Sequence, residues 1–237
     1  MPDTPYAITP IAHIRTDFSE KFGIPRQSGL VEALRADIVF DPAFRNPDAL
    51  RGMEGFSHLW LIWQFSTVVE AGQDGAHWRP TVRPPRLGGN TRMGVFATRS
   101  PFRPNALGLS CVQLLGVTPD TPEGPILHVA GADLLDGTPI YDIKPYLPYA
   151  DAHPDARGGF ADAGLKHLLD VQCDEALWAN VPAEKRDALR GVLAGDPRPA
   201  YQEDPDRVYA MAFAGLTVRF RVAGTVLTVT AIEATPL

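Results

Sequence analysis

The chain has 237 residues, a hydrophobic share of 45% and a net charge of −6, which suits one large domain or one large and one small domain and argues against overall disorder. No apolar run approaches the roughly 18–20 residues that a membrane span needs, so we expect no membrane association. The first ten residues lack a basic start followed by an apolar stretch, and we therefore expect a cytoplasmic protein without a secretory signal.

The first half of the chain alternates short β-like runs with Pro and Gly turns, which is typical of an all-β barrel or sandwich. The apolar run at residues 59–63 predicts a strand buried on both faces, although a buried helix turn gives the same pattern. The candidate strands are residues 8–14, 37–40, 58–65, 94–98, 109–117 and 126–134.

The composition changes at residues 149–164, where Asp, Ala, Gly and Pro dominate and large apolar residues almost disappear. We therefore predict a first domain over residues 1–150, a linker over residues 151–164 and a small α+β domain over residues 165–237.

The last part of the chain shows the patterns of two helices and a hairpin. Residues 165–178 have the apolar spacing of one helix, and a second helix is expected between Pro182 and Gly195. Residues 216–222 alternate in polarity, which predicts a strand with one buried face, and residues 226–232 follow as its hairpin partner.

Residues 79–110 are rich in arginine although the whole chain is acidic, and they contain neither lysine nor a carboxylate. Guanidinium groups donate paired hydrogen bonds to phosphate or carboxylate and stack on bases, so this arginine-rich segment predicts an anion-binding surface of the kind that nucleic acid needs. The alternative is a set of solvated loops whose arginines pair with distant carboxylates. The six arginines are Arg79, Arg83, Arg86, Arg92, Arg99 and Arg103.

A second polar group follows the last candidate strand of the first half. Asp136-Gly137 is a turn signal, and turns at strand ends commonly hold binding groups. Asp136 and Asp142 are able to accept hydrogen bonds from hydroxyl or amino groups, and Lys144 is able to meet a phosphate. The alternative is a polar turn followed by a proline-rich extended connection.

Other common kinds of site are not indicated. No Gly-x-Gly-x-x-Gly follows a strand, and no phosphate loop ends in Gly-Lys-Ser/Thr, which argues against Rossmann-type and NTPase sites. The six histidines and two cysteines lack metal-ligand spacing, so we expect no metal. We interpret His58 as a hydrogen-bonded structural residue and Cys111 as inert packing in a strand.

The chain contains several distinctive strings, among them Pro-Arg-Gln at residues 25–27 and Thr-Arg-Ser at residues 98–100. Together these strings resemble the TsaA-like, TrmO-type tRNA methyltransferases. The resemblance is dense over roughly residues 8–151 and continues at residues 196–201. The strings are residues 22–27, 55–60, 79–90, 94–105, 136–139, 144–146 and 196–201.

The resemblance implies an S-adenosylmethionine-dependent enzyme that methylates N6 of N6-threonylcarbamoyladenosine at position 37 of tRNA. It implies a mainly β fold, with a TsaA-like β-barrel methyltransferase domain that is neither Rossmann nor knotted, and a small α+β C-terminal domain that assists tRNA binding. It also implies a homodimer.

The implied cofactor-binding residues are Pro25, Arg26, Gln27, Ser66, Thr67, Arg99, Leu109, Asp133, Leu134, Leu135 and Asp136. This chain departs from the family at Ser66-Thr67, where relatives carry His-Gln, and at Asn105-Ala106-Leu107, where they carry Asn-Pro-Ile.

The acceptor nitrogen of this substrate is a poor nucleophile, because it is conjugated with the adenine ring and a carbamoyl group. We therefore hypothesise that Asp136 takes the N6 proton as the methyl group arrives. Carboxylates such as Asp133 favour the cationic sulfonium, and arginines face the cofactor carboxylate and the RNA. The expected partner is the tRNA anticodon stem-loop, and its expected contacts are Arg79, Arg83, Arg86, Arg92, Arg103, Lys144, Tyr146, Arg198 and Tyr201.

Two other functions remain as alternatives at the level of the sequence. One is a non-catalytic RNA-binding barrel whose arginines only hold phosphates, and the other is a small-molecule methyltransferase on the same scaffold. Residues 196–201 favour the tRNA enzyme over the second alternative, and saturable heat on titration with S-adenosylmethionine separates it from the first.

Overall fold

The computed structural model describes residues 7–67, 78–84, 91–164, 168–199 and 204–235. Its strands form a closed barrel, a four-stranded sheet and a two-stranded ribbon. In chain order the strands are β1 (Ala12–Arg15), β2 (Arg35–Phe40), β3 (His58–Gln64), β4 (Thr81–Val82), β5 (Met93–Gly94), β6 (Leu107–Thr118), β7 (Ile126–Ala130), β8 (Pro139–Pro145), β9 (Asp170–Gln172), β10 (Tyr209–Phe213), β11 (Leu216–Ala223) and β12 (Val226–Ala234).

The helices are short. The α-helices with described bounds are α1 (Pro148–Asp151), α2 (Glu175–Trp178) and α3 (Arg186–Ala194). No helix within the described ranges is long and apolar enough to cross a membrane. The 3-10 helices are Pro42–Phe44, Pro47–Leu50, Met53–Gly55, Val95–Ala97, Gly159–Gly164 and Ala183–Lys185, and the fifth of these lies within the predicted linker.

The barrel is built from six strands in the order β1-β2-β7-β6-β3-β8, and each neighbouring pair is antiparallel. Closure leaves no strand edge unpaired, and alternate side chains of each strand fill the interior. The fully buried core includes Ile14, Ile38, Leu59, Leu127 and Ile140. The predicted mainly β fold with a barrel is therefore confirmed.

β8 closes the barrel by pairing with both β1 and β3. The residue pattern here predicted only a binding turn or a polar turn followed by a proline-rich extended connection, and no strand. Pro139 and Pro145 lie at its two ends, where the missing amide hydrogens interrupt the ladder least. The predicted strand at residues 94–98 is wrong, because the chain turns into the 3-10 helix Val95–Ala97 and Thr98 N donates to Val95 O at 3.1 Å.

β3 is buried unequally on its two faces, whereas the apolar run predicted full burial on both. Its odd-numbered residues lie inside the barrel, but Trp60 and Ile62 are only half-buried on the outer face. The Trp60 ring packs against Tyr146 at a centroid distance of 5.9 Å, and its Nε1 donates to Asp151 Oδ2 at 3.1 Å. The start of the predicted linker therefore covers part of the outer face of this strand.

The C-terminal sheet has the order β10-β11-β12-β9. The predicted β11–β12 hairpin is present, and α3 ends at Gly195 as expected. The single helix predicted over residues 165–178 is wrong for residues 168–174, because β9 pairs there in parallel with β12, whereas α2 makes the last four residues of that range helical. Sheet pairing outweighs the modest helix preference of that stretch.

The connection between β1 and β2, residues 16–34, packs into the C-terminal core rather than into the barrel core. Phe18 and Leu34 are buried among side chains of α3 and of the C-terminal sheet. The Phe18 ring meets Phe213 edge to face at 5.6 Å, and Lys185 Nζ donates to both carboxylate oxygens of Asp17 at 2.7 Å. Residues from the first part of the chain therefore complete the core of the second part.

Replacing Phe18 with alanine should lower the free energy of unfolding by about 3–5 kcal/mol, because it opens a cavity in this shared core. Urea denaturation followed by tryptophan fluorescence measures the loss, since Trp178 is buried in the same core. Phe44→Ala is the matched control: Phe44 is 40% exposed, and its removal should cost less than about 1 kcal/mol. Equal losses in the two variants would contradict the assignment of Phe18 to the C-terminal core.

Candidate active site

A cavity of about 510 Å³ lies at the mouth of the barrel, where β3 ends and β6 begins. The β1–β2 connection, the end of β3, the arginine-rich segment and the β7–β8 turn provide its walls. Clefts of this size suit a small molecule or cofactor. The predicted cofactor residues that the structure brings together here are Pro25, Arg26, Gln27, Ser66, Thr67, Arg99, Leu109, Asp133 and Leu135.

Two predicted cofactor residues do not line this cavity. Leu134 is fully buried in the barrel core. Asp136 is exposed on the other side of the β7–β8 turn, where it lines a second cavity of about 350 Å³ together with His13 and Arg15. Its carboxylate accepts a hydrogen bond from Thr16 N at 2.9 Å, which ties the turn to the end of β1. The structure therefore places the predicted base away from the cavity.

Asp133 is the one carboxylate among the described residues that line the cavity. Its Oδ1 accepts a hydrogen bond from Ser110 Oγ at 2.6 Å. Burial raises the pKa of Asp133, while the Ser110 hydrogen bond and the nearby charge of Arg99 oppose that increase. The cavity thus contains a carboxyl group whose proton affinity is increased by its surroundings, and such groups are frequent at functional sites.

Ser110 is buried on the inner face of β6, with 1% of its surface exposed. Trp63 Nε1 donates to Ser110 Oγ at 2.9 Å, so the hydroxyl lies between the indole and Asp133. The indole ring lies flat against Gly108, where a Cβ atom would overlap it, and its other neighbour is the Phe65 ring at 4.3 Å. The paired strands β3 and β6 therefore hold the ring and the hydroxyl together, and the hydroxyl connects the ring to the Asp133 carboxylate of the β7–β8 turn by hydrogen bonds.

The wall that carries Pro-Arg-Gln is connected to two other parts of the chain. Arg99 Nη1 donates to Gln27 Oε1, which joins the wall to the arginine-rich segment. Arg26 Nη2 donates to the carbonyl oxygen of Arg198 at 3.0 Å, which joins it to the C-terminal part. Gly23 has φ of 102° and its Cα faces the side chain of Met211, so a side chain at this position would be strained.

The predicted RNA-binding residues differ from one another in their exposure and in the groups that they contact. Lys144 is exposed and pairs with Asp142 at 3.0 Å, and Tyr146 is half-buried beside Trp60. The Arg198 side chain is 12% exposed, and its Nε lies 2.9 Å from Oδ1 of the buried Asp196 carboxylate, so its guanidinium is engaged within the protein. Arg79, Arg83 and Arg92 are exposed, Arg103 lines the cavity, and Arg86 and Tyr201 lie outside the described residues.

The remaining candidate groups have the structural surroundings that the sequence indicated. His58 Nδ1 lies 2.9 Å from Ser57 Oγ, and its ring packs beside Tyr146. Burial raises the pKa of Cys111, which keeps that thiol in its less reactive protonated form. Within the described part of the chain, no cluster of three or more His, Cys, Asp or Glu side chains is arranged to hold a metal ion.

The sequence missed the roles of Ser110, Trp63 and Gly108. A signal for Ser110 was present, because residue alternation along the predicted strand puts a lone hydroxyl among inward apolar side chains such as Val112 and Leu114. A buried hydroxyl needs a partner, but neither of its partners is close in sequence: Asp133 is 23 residues away and Trp63 is 47.

The fold and the cavity together define a class: a barrel enzyme with its site at the barrel mouth and a small C-terminal sheet behind one wall. The family model described as the tRNA-methyltransferase O N-terminal domain matches residues 13–152, and the TrmO C-terminal domain model matches residues 166–235. The chain therefore belongs to the tRNA-methyltransferase O family.

Similar proteins cover nearly the whole chain. A tRNA (adenine(37)-N6)-methyltransferase of Escherichia coli is 43% identical over 231 residues, which are 94% of this chain and 96% of the relative. A putative S-adenosylmethionine-dependent methyltransferase of Pseudomonas aeruginosa is 42% identical over 91% of this chain and 92% of its own length. A crystal structure of TrmO from Pseudomonas aeruginosa has a TM-score of 0.76 at 32% identity and covers 98% of this chain and all of that one.

Replacing Gly108 with alanine should lower the free energy of unfolding by about 1–3 kcal/mol, because the new methyl group overlaps the Trp63 ring and displaces it. Denaturation gives the loss, and near-ultraviolet circular dichroism shows whether an indole has moved. Gly116→Ala is the control on the same strand, because no atom lies within 4 Å of its added methyl group. If both variants have the unfolding free energy and the near-ultraviolet spectrum of the original protein, Gly108 is not needed to position the Trp63 ring.

Proposed function

We propose that this chain catalyses the S-adenosylmethionine-dependent methylation of N6 of adenosine 37 in tRNA, with N6-threonylcarbamoyladenosine as its substrate. The observation that supports this most is the barrel-mouth cavity, which joins the partly buried carboxylate of Asp133 to the guanidinium groups of Arg26, Arg99 and Arg103. Relatives of nearly the same length carry the name of this activity. We also propose that the chain acts in the cytoplasm.

The residues of the cavity fit S-adenosylmethionine. Its cationic sulfonium and ammonium groups suit the carboxylate of Asp133, and its own carboxylate suits the guanidinium of Arg26 or Arg99. The apolar side chains of Leu109 and Phe65 offer surface for the adenosine. Ser66 and Thr67 provide hydroxyl groups at the cavity. Leu134 and Asp136 do not line the cavity, but they hold the turn that presents Asp133 and Leu135.

When bound, S-adenosylmethionine supplies an electrophilic methyl group. The part of this chain is to hold the acceptor nitrogen in line with that group and to exclude water, which accounts for much of the rate of a displacement reaction. Arg99 is joined to Gln27 and is held against the wall that carries Pro25. The protein thus supplies positioned charges on a rigid frame.

The N6 nitrogen needs a proton acceptor, because its lone pair is delocalised into the ring and the carbamoyl group. The sequence assigned this task to Asp136, but Asp136 lies outside the cavity and is engaged with Thr16. We assign it instead to Asp133, whose raised pKa makes its carboxylate a better proton acceptor. When S-adenosylmethionine is bound, the Asp133 carboxylate would accept the N6 proton as the methyl group is transferred to that nitrogen.

We propose that the anticodon stem-loop approaches the barrel mouth along the arginine-rich segment. Arg79, Arg83 and Arg92 are exposed and suit backbone phosphates, and Arg103 lies at the cavity itself. Lys144 and Tyr146 extend this surface on the barrel, and we keep Arg86 and Tyr201 in the proposed footprint on the family resemblance.

We further propose that the chain forms a homodimer. Leu115 is 44% exposed on the outer face of β6, and a partner subunit would cover this apolar side chain. Sedimentation velocity at micromolar concentration distinguishes the dimer from a monomer.

The activity is tested by incubating the purified protein with S-adenosylmethionine and tRNA that carries N6-threonylcarbamoyladenosine. Mass spectrometry of the digested nucleosides should show a gain of one methyl group on that nucleoside. The same tRNA with unmodified adenosine 37 is the control for the substrate. No methylated nucleoside with either tRNA, in a protein that binds S-adenosylmethionine, would overturn the proposed activity.

Replacing Asp133 with asparagine should lower the single-turnover rate of methyl transfer about 10²- to 10⁴-fold, because asparagine cannot accept the N6 proton. Asp136→Asn is the matched variant and should change the rate less than about tenfold, since Asp136 lies outside the cavity. Thermal unfolding of both variants shows whether a lost rate reflects a lost fold. A large loss in folded Asp136→Asn together with normal turnover in Asp133→Asn would return the role of base to Asp136.

A further inference from the structure

We propose that Ser110 and Trp63 are positioning residues for Asp133: the Trp63 indole fixes the direction of the Ser110 hydroxyl so that this hydroxyl donates to the carboxylate in the cavity. The inference rests on the proposed function, because it assigns the role of proton acceptor to Asp133. It adds two residues that contact neither cofactor nor RNA through their polar atoms in the proposed arrangement.

The direction of the hydrogen bonds follows from the chemistry of the three groups. An indole N–H only donates, and a serine hydroxyl has one proton and two lone pairs. Trp63 Nε1 lies 2.9 Å from Ser110 Oγ, so Ser110 accepts that bond. Its own proton is then left for Asp133 Oδ1 at 2.6 Å, a distance typical of a hydrogen bond to a charged oxygen.

The barrel holds this chain of bonds in one geometry. Trp63 is opposite Gly108 in the register of β3 and β6, and Leu61 is opposite Ser110, so both polar groups lie on the inner face of paired strands. Trp63 is 7% exposed and Ser110 is 1% exposed, and bulk water therefore offers no competing partner. Glycine at position 108 is what lets the ring approach the strand closely enough to reach the hydroxyl.

The hydrogen bond from Ser110 favours the charged form of Asp133, and burial favours the neutral form. The other groups that act on this carboxylate are its own backbone amide, the charge of Arg99 and the Ser28 amide of the β1–β2 connection, and all three favour the charged form. Lys21, Arg26 and Arg103 add positive charge around the cavity. Ser110 is the hydroxyl donor among these groups. Its removal therefore leaves fewer groups to counteract the increase in the pKa of Asp133 that burial causes.

The rate of methyl transfer should depend on pH through the protonation state of Asp133. A base works in its deprotonated form, so the rate of methyl transfer rises with pH through the pKa of Asp133. Ser110→Ala raises this pKa further, and the midpoint of the pH–rate profile should therefore move to higher pH by about one to two units. At high pH the rate of the variant should recover toward that of the original protein, which a purely structural defect would not show.

Four variants test the inference. Ser110→Ala removes the donor, and Ser110→Thr keeps the hydroxyl and should restore the midpoint. Trp63→Phe removes the indole donor and should shift the midpoint in the same direction by a smaller amount, because Ser110 then loses its fixed direction. Thr118→Val is the matched control, since it removes a hydroxyl at the far end of the same strand, bonded to His128 at 2.8 Å, and should not move the midpoint.

Two measurements do not depend on activity. Carboxyl carbon NMR of the full chain without tRNA gives the titration midpoint of Asp133, which should be higher in Ser110→Ala. The indole N–H resonance of Trp63, assigned by its loss in Trp63→Phe, should move when Ser110 is changed and not when Thr118 is changed. If the original protein transfers no methyl group but both signals move as stated, the proposed function fails and the positioning role stands.

An unchanged Asp133 midpoint in folded Ser110→Ala would overturn the inference even if methyl transfer is fully active. Should Ser110→Ala not fold, the same two measurements on Trp63→Phe decide the question. An unchanged Asp133 midpoint in that variant likewise overturns it.

Discussion

The packing of the β1–β2 connection against the C-terminal sheet is the constraint on which the site depends. The connection buries Phe18 and Leu34 in the C-terminal core and also carries Pro25, Arg26 and Gln27 to the cavity. A loop of this length gains order only when its side chains are buried, because ordering each residue costs about 1–2 kcal/mol of conformational entropy. The C-terminal sheet thus holds one wall of the cavity from behind.

The barrel supplies the opposite wall by a different means. Closure fixes the register of β3 against β6, and that register places Trp63 within hydrogen-bond distance of Ser110, whose hydroxyl donates to Asp133 of the β7–β8 turn. One wall is therefore held by apolar packing over long sequence separations and the other by strand pairing and hydrogen bonds. The charged groups of the cavity lie between two rigid frames, which is the condition under which fixed charges act most strongly.

Much of the fold could be predicted from residue patterns, and the predictions that were wrong have physical reasons. Short β-like runs predicted β2 and β6, the apolar run at residues 59–63 predicted β3, and alternation predicted the β11–β12 hairpin. Prolines at both ends disguised β8, and parallel pairing of β9 with β12 overrode the helical spacing of residues 168–174. The arginine-rich segment was visible as a charge anomaly, while most cavity residues came from the family resemblance. No local pattern separates Asp133 from Asp136, because the direction of each side chain in that turn depends on contacts with β1 and β6.

The shared core also has a consequence for the order of events during synthesis. The barrel strands are complete once Pro145 has left the ribosome, whereas Asp17 meets Lys185 across 168 residues and Arg26 meets Arg198 across 172. Until those partners emerge, the apolar side chains of the connection have no core to enter. The wall that carries Pro25, Arg26 and Gln27 can therefore be completed only after the C-terminal part of the chain has been made, although every barrel strand precedes that part in the sequence.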